Sequence, residues 1–335
     1  MIIQADKIDC SNTNTVDSSG SFERLERAAH WSWYHPPFIR RVMPTALKRA
    51  LRKLESCILS HYAVRHLPRD KEFEQSADDA LASAVLSIIV PVHDAPAVTR
   101  RCLMSLQKYA PNAEIILVDD ASKLDETKKL LNDFADRNGW KLIRHSEPLG
   151  HSRACSAGTA LATRPYLCLL NSDTVVTPWC WRPIVQVFEA NPQIGVTGPS
   201  TSSSGTAQTL ALAHSIRHDL NDSQICEYAR RLLDECGSPV ITDLPCVTGF
   251  AFFIRRRIWD QFGGFDQNLP DYGNESELCR RIVEKGIRVV WVRNSYIHHF
   301  AGASYGKTIG SKSILTRKQN AFEYISGKHG NCEPS

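Results

Sequence analysis

The chain has 335 residues, 42% of them hydrophobic and 23% charged, values that exclude a wholly disordered or collagen-like chain. Lys and Arg number 40 against 36 Asp and Glu, and a net charge of +4 over this length does not mark a nucleic-acid binder. The longest apolar run, 84–92, is broken by Ser87 and Pro91 and falls far short of the about 20 residues that span a bilayer.

The 11 cysteines are scattered without a CxxC pair. That pattern argues against a disulfide framework or a zinc ribbon and predicts a reducing compartment. Residues 1–10 hold Asp6 and Asp9 and no apolar stretch, so a secretory leader is not expected. Residues 1–22 read as a polar, disordered tail. Residues 27–54 carry seven basic residues and no acid, and Leu47, Leu51, Leu54 and Ile58 form one helical stripe. A segment of this kind, 38–59, suits an anionic membrane surface, giving a cytoplasmic protein peripheral on the inner membrane face. The plainer alternative is a helix packed on the main domain with a solvated basic side. Residues 68–83 read as a polar linker.

From residue 86 the pattern changes. Leu86–Val92 reads as a buried strand, 97–109 as a helix, 114–118 as a strand ending in Asp119-Asp120, and 125–137 as a helix. Strand 141–144, helix 152–162 and strand 166–170 follow. This alternation predicts an α/β fold with a mostly parallel central sheet and helices on both faces. Further on come a strand entered through 191–198, a helix near 222–235, a strand 246–254, a turn at Gly263-Gly264-Phe265-Asp266, a helix 275–285 closed by Gly286, and strands 288–292 and 296–299. The predicted organisation is an N-terminal extension 1–83 containing the basic helix, a domain 84–305 divided into halves 84–199 and 200–305, and a helical tail 306–335.

Ligands of open parallel sheets bind beyond the carboxyl ends of the strands. Polar residues gather at such ends: Asp94 after the first strand, Asp119 and Asp120 after the second, Asn171-Ser172-Asp173 after the fourth. Asn274-Glu275-Ser276-Glu277 opens a helix, and His298-His299 closes the last strand. An aspartate at a strand end is, taken alone, often a helix N-cap. The Gly150 to Gly158 spacing matches neither a P-loop nor a Rossmann fingerprint, which disfavours a dehydrogenase.

Taken in order, Ser87-Ile88-Ile89-Val90-Pro91-Val92-His93-Asp94, Ile116-Leu117-Val118-Asp119-Asp120-Ala121-Ser122, Leu169-Leu170-Asn171-Ser172-Asp173, Val247-Thr248-Gly249, Gly263-Gly264-Phe265-Asp266 and Glu277-Leu278-Cys279-Arg280-Arg281, with His299 five residues before Ser304, resemble glycosyltransferase family 2 with a GT-A fold. The resemblance covers about 86–305. It implies inverting transfer of a hexosyl or deoxyhexosyl group from a UDP-, dTDP- or GDP-linked donor to a glycan or lipid-linked acceptor hydroxyl. It implies a setting in polysaccharide, lipopolysaccharide or glycolipid assembly.

By the same resemblance, Pro91, Asp94 and Asp120 line the nucleotide cleft, and a carboxylate at 120 accepts the base N–H. Asn171 and Asp173 occupy the DxD motif, with Asp173 a ligand of Mn²⁺ or Mg²⁺. His299 matches the late metal-ligand histidine, which favours Mn²⁺. Since strand neighbours point to opposite faces, one of His298 and His299 faces the cleft, and His299 is the one expected there. Glu275 matches the general base, and its place at a helix start favours its charged form. Glu277, two residues on, points elsewhere; it is placed on the acceptor side with Gly249 or structures the helix. Arg153 is a candidate for the donor diphosphate, the alternative being a surface residue. The family pattern is broken by Asn171 in place of Asp, by Asn274-Glu275 in place of Glu-Asp, and by Ser156 in place of Asn. These departures motivate a second reading, a catalytically silent relative that only binds nucleotide sugar or glycan. A nucleotidyltransferase is disfavoured because Val92-His93-Asp94-Ala95-Pro96 lacks the Gly-rich basic loop.

Overall fold

A computed structural model describes residues 71–210, 220–236, 238–301 and 311–329, with positions 213 and 218 between them. The expected tail 1–22 and basic segment 38–59 lie outside the described residues.

Branched apolar residues build the centre. Strand β1 (Leu86–Val92) is buried at every position but Pro91, as a strand covered on both faces must be. It pairs in parallel with β2 (Glu114–Asp119) and β4 (Tyr166–Leu170), and β2 pairs in parallel with β3 (Lys141–Arg144). Side chains alternate across this sheet. Ile88 and Val90 pack under helices α2 (Pro96–Tyr109), α3 (Asp125–Asn138) and α5 (Trp181–Ala190), while Ile89 faces α4 (His151–Leu161). On that second face α4 is joined by α7 (Arg256–Phe262) and α8 (Asn274–Val283).

The sheet continues through β8 (Ala251–Arg255), β6 (Ile194–Ser200), β9 (Arg288–Tyr296) and β7 (Ile241–Asp243), in the order β3-β2-β1-β4-β8-β6-β9-β7. Here the expectation of a mostly parallel sheet gives way to a mixed one, because β8 runs antiparallel to both β4 and β6, and β7 antiparallel to β9. This reversal carries the segment before β8 to the edge where β1, β2 and β4 end. A small second sheet pairs β5 (Thr174–Val175) with β10 (His298–His299). Helices α6 (Asp222–Cys236) and α9 (Ser311–His329) complete the described chain.

Three boundaries differ from the sequence expectation. The polar stretch before β1 holds a helix, α1 (Ala77–Ser83), whose buried Asp79 accepts the amides of Trp181 and Arg182 at 3.0 and 2.7 Å and so caps α5. The apolar run from Cys246 enters β8 only at Ala251, because Thr248-Gly249 turns toward the site. Residues 288–296 form one strand rather than the end of one and the start of another. The described cysteines are unpaired, and no described helix is long and apolar enough to cross a membrane.

Candidate active site

The carboxylates at the ends of β1 and β2 are tied to the backbone. Asp119 accepts the Ser122 amide at 2.9 Å and the Arg144 guanidinium at 3.0 Å. Asp120 accepts the amides of Leu149 and Gly150, each at 2.9 Å, and its Oδ1 lies 2.7 Å from His145 Nδ1. It thereby holds the loop that leads into α4. That loop ends at Gly150 with φ 89°, where a Cβ would lie 2.9 Å from Pro270 Cβ, so a glycine is required on both counts. Asp94, at φ 55°, accepts the amides of Lys123 and Leu124 at 2.9 Å each and pins the loop before α3.

Asp173 and His299 meet because β5 and β10 pair. His299 stands opposite Thr174 in that ladder, which puts its Nε2 3.2 Å from Asp173 Oδ1. The His299 Nδ1 lies 2.5 Å from the Ser203 carbonyl, which can only accept, so Nδ1 is the donor there and the ring is fixed in orientation. Phe250 stacks on the imidazole with centroids 5.3 Å apart. His298 turns the other way and is fully buried beside Tyr296, 2.9 Å from its hydroxyl.

Glu275 occupies the first turn of α8, after Gly273 at φ 79°. The buried Asn274 accepts the Glu275 amide at 3.1 Å and donates to Ser152 Oγ at 3.0 Å, which locks α8 to α4. The Glu275 carboxyl presses on Gly249: a Cβ there would lie 1.5 Å from Oε1. Burial pushes this carboxyl up to about 7, with its own backbone amide acting in the other direction. Glu277 is fully buried and faces Arg281, Lys328 and His329 at 2.7, 2.8 and 3.1 Å. Burial alone would raise its pKa, but the hydrogen bonds from these three outweigh it and hold the carboxyl below the usual range.

One cavity of about 470 Å³ is lined by Pro91, Asp120, Asn171, Asp173, Gly249, Glu275 and His299. The sequence singles out all seven, and they come from six separate stretches of chain. Asp94, Arg153 and Glu277 do not line it. Asp94 serves its loop, Arg153 is exposed on α4, and Glu277 is spent on the join between α8 and α9. The cavity also takes in His93, His151, Asp271, Tyr272 and Lys318, which the motifs leave unmarked. His151 is legible in retrospect, since Gly150 at the helix start aims the next side chain back at the strand ends. Burial lowers the His151 pKa, so the ring is held neutral. A second hollow of about 620 Å³ adjoins the first, shares His93, Asp271 and Tyr272, and is walled by Arg317, Asn320 and Tyr324 of α9.

The family profile "Glycosyl transferase family 2" matches residues 87–262. The chain belongs to glycosyl transferase family 2. A curated relative is the O-antigen biosynthesis protein RfbC of Myxococcus xanthus, 26% identical over 65% of this chain and 17% of that protein. The chain thus spans well under two thirds of that relative's length. Two solved structures share the fold. GalNAc-T7 with UDP, GalNAc and Mn²⁺ has a TM-score of 0.51 and 20% identity, over 71% of this chain and 48% of its own. The mannosyltransferase PcManGT of Pyrobaculum calidifontis, with GDP-Man and Mn²⁺, has a TM-score of 0.51 and 15% identity, over 93% of this chain and 77% of its own. The fold is GT-A.

Proposed function

We propose that the protein transfers a sugar from a nucleoside-diphosphate sugar to an acceptor hydroxyl with inversion, Glu275 acting as general base. The observation that carries this reading is the convergence of Glu275, Asp173 and His299, from α8, the turn after β4 and β10, on one cavity. The acceptor oxygen forms its bond to the anomeric carbon as its proton passes to Glu275. The bond from that carbon to the diphosphate oxygen breaks, and the nucleoside diphosphate leaves with the electron pair. A carboxyl near 7 is matched to this work, because about half of it is ionised at neutral pH and it is basic enough to take the proton.

An aspartate oxygen and an imidazole nitrogen 3.2 Å apart, with the imidazole oriented from behind by Ser203, are a fitting donor pair for Mn²⁺ or Mg²⁺. Among the described residues no group of three or more His, Cys, Asp or Glu is gathered for a metal. When bound, such a cation neutralises charge on the departing diphosphate. The Mn²⁺ and the UDP or GDP-Man of the two structural neighbours support this assignment. Asp120 and Pro91 flank the nucleoside end. A role in polysaccharide, lipopolysaccharide or glycolipid assembly is supported by the relative in O-antigen biosynthesis.

The test is a screen of UDP-, dTDP- and GDP-linked sugars, read by thermal shift and by nucleotide release. Donor binding and turnover are expected with Mn²⁺, loss of turnover with chelator, and recovery best with Mn²⁺. Asp173→Ala is expected to lose about a thousandfold in rate while staying folded. Binding without turnover by the unaltered protein would identify a silent relative instead, and no binding of any donor would end the reading.

A further inference from the structure

Four carboxylates line the 470 Å³ cavity, those of Asp120, Asp173, Asp271 and Glu275. Among the described lining residues, Lys318 is the one lysine or arginine. It stands on α9, with its ammonium 5.4 Å from the centre of the Tyr272 ring. Its position follows from how α9 is seated. Ala321 and Ile325 are buried against Leu269, and Ile325 Cδ1 would meet a Cβ on Gly273 at 2.9 Å. The preceding residue, Arg317, pairs with Asp271. The helix therefore presents consecutive cations at the cavity mouth, the first matched to a protein carboxylate and the second facing the cavity.

A donor diphosphate brings about two negative charges into this acidic hollow, and the leaving nucleoside diphosphate carries more. We propose that Lys318 is a donor-binding residue whose ammonium contacts the diphosphate of the nucleotide sugar, so that α9 completes the donor site. This inference rests on the glycosyltransferase reading. A lysine suits the task, being a compact charge on a flexible stem that follows the phosphates as the sugar leaves. Asn171 fits the same account, since an amide there spares the diphosphate one further negative neighbour.

The experiment titrates the full chain with UDP, dTDP and GDP in the presence of MnCl₂, at several salt concentrations. It compares the unaltered protein with Lys318→Ala and Lys318→Arg. Lys318→Ala is expected to weaken diphosphate binding by about tenfold to a hundredfold, as loss of a charge-assisted hydrogen bond does. It should also flatten the salt dependence, while Lys318→Arg recovers most of the affinity. The melting temperature of both variants should stay unchanged, because residue 318 is exposed. Diphosphate affinity in Lys318→Ala equal to that of the unaltered protein overturns the inference and leaves the transferase reading standing. Failure of the unaltered protein to bind any of the three overturns both.

Discussion

Asp120 and Glu275 line the same cavity but differ in what surrounds them. Asp120 has its oxygens engaged by two backbone amides and an imidazole, all within 2.9 Å. Among the described residues no other side chain pairs with the Glu275 carboxyl, and burial lifts it to about 7. Asp94, Asp119 and Asp120, at the ends of β1 and β2, are thus acids whose hydrogen bonds shape loops. On the α8 side, burial outweighs the one backbone hydrogen bond to the Glu275 carboxyl. A satisfied acid resists change of state, and an unsatisfied one is ready for it.

The contrast is sharpest in Glu275→Gln, which should cost about a hundredfold or more in transfer rate while donor binding persists. Wild-type activity should rise with pH and level off above about 7, since the base works in its ionised form. Stability should run the opposite way. The folded chain keeps a proton that the unfolded chain releases from its ordinary value of 4.5 upward, so stability falls as pH climbs from there to about 7. A glutamine cannot ionise, so above pH 7 Glu275→Gln should melt at a higher temperature than wild type. A lower melting temperature would break the comparison.

Gly249→Ala comes next. Its Cβ would displace the Glu275 carboxyl, and a misplacement of about 1 Å should cost about a hundredfold in rate with donor affinity little changed. On the architectural side the effects move to stability. Asp120→Ala leaves the Leu149 and Gly150 amides without their acceptor and should cost about 2 kcal/mol in chemical denaturation. Asp94→Ala, releasing two amides on an exposed loop, should cost about 1 kcal/mol and leave turnover nearly intact. A large loss of turnover in Asp94→Ala would return that residue to the chemistry.

These differences follow what the residues reveal before folding. Strands β1, β2 and β4 are legible because parallel strands buried on both faces are unbroken apolar runs with polar residues at one end. The run from Cys246 to Ile254 is equally apolar, yet nothing in it shows that β8 is antiparallel, a property of its neighbours rather than of its own residues. Alternation shows that only one of His298 and His299 can face the cleft, the family resemblance singles out His299, and His299 is the one that lines the cavity. Asp94 stands in sequence where a ligand residue would, and only the positions of the Lys123 and Leu124 amides show that its Oδ1 is taken up by the loop. Helix α1 was hidden because its one buried acid takes its meaning from α5, a hundred residues away. Lys318 has no local signal: an exposed lysine on a polar helix becomes notable only once α9 is docked.

Glu277, a carboxylate with no exposed surface, ties the last turn of α9 to the helix that bears Glu275: Lys328 and His329 reach it from α9, and Arg281 from its own helix. Without Lys328 and His329 the buried carboxylate would keep only Arg281 of its own helix, whereas at the far end a partly exposed Arg317 meets the buried side chain of Asp271. Helix α9 is accordingly held at its carboxyl end by Glu277, along its middle by Ala321 and Ile325 packed on Leu269, and near its amino end by Arg317 on Asp271. A change that loosened any of these anchors would therefore be felt at Lys318, which the same helix carries to the cavity.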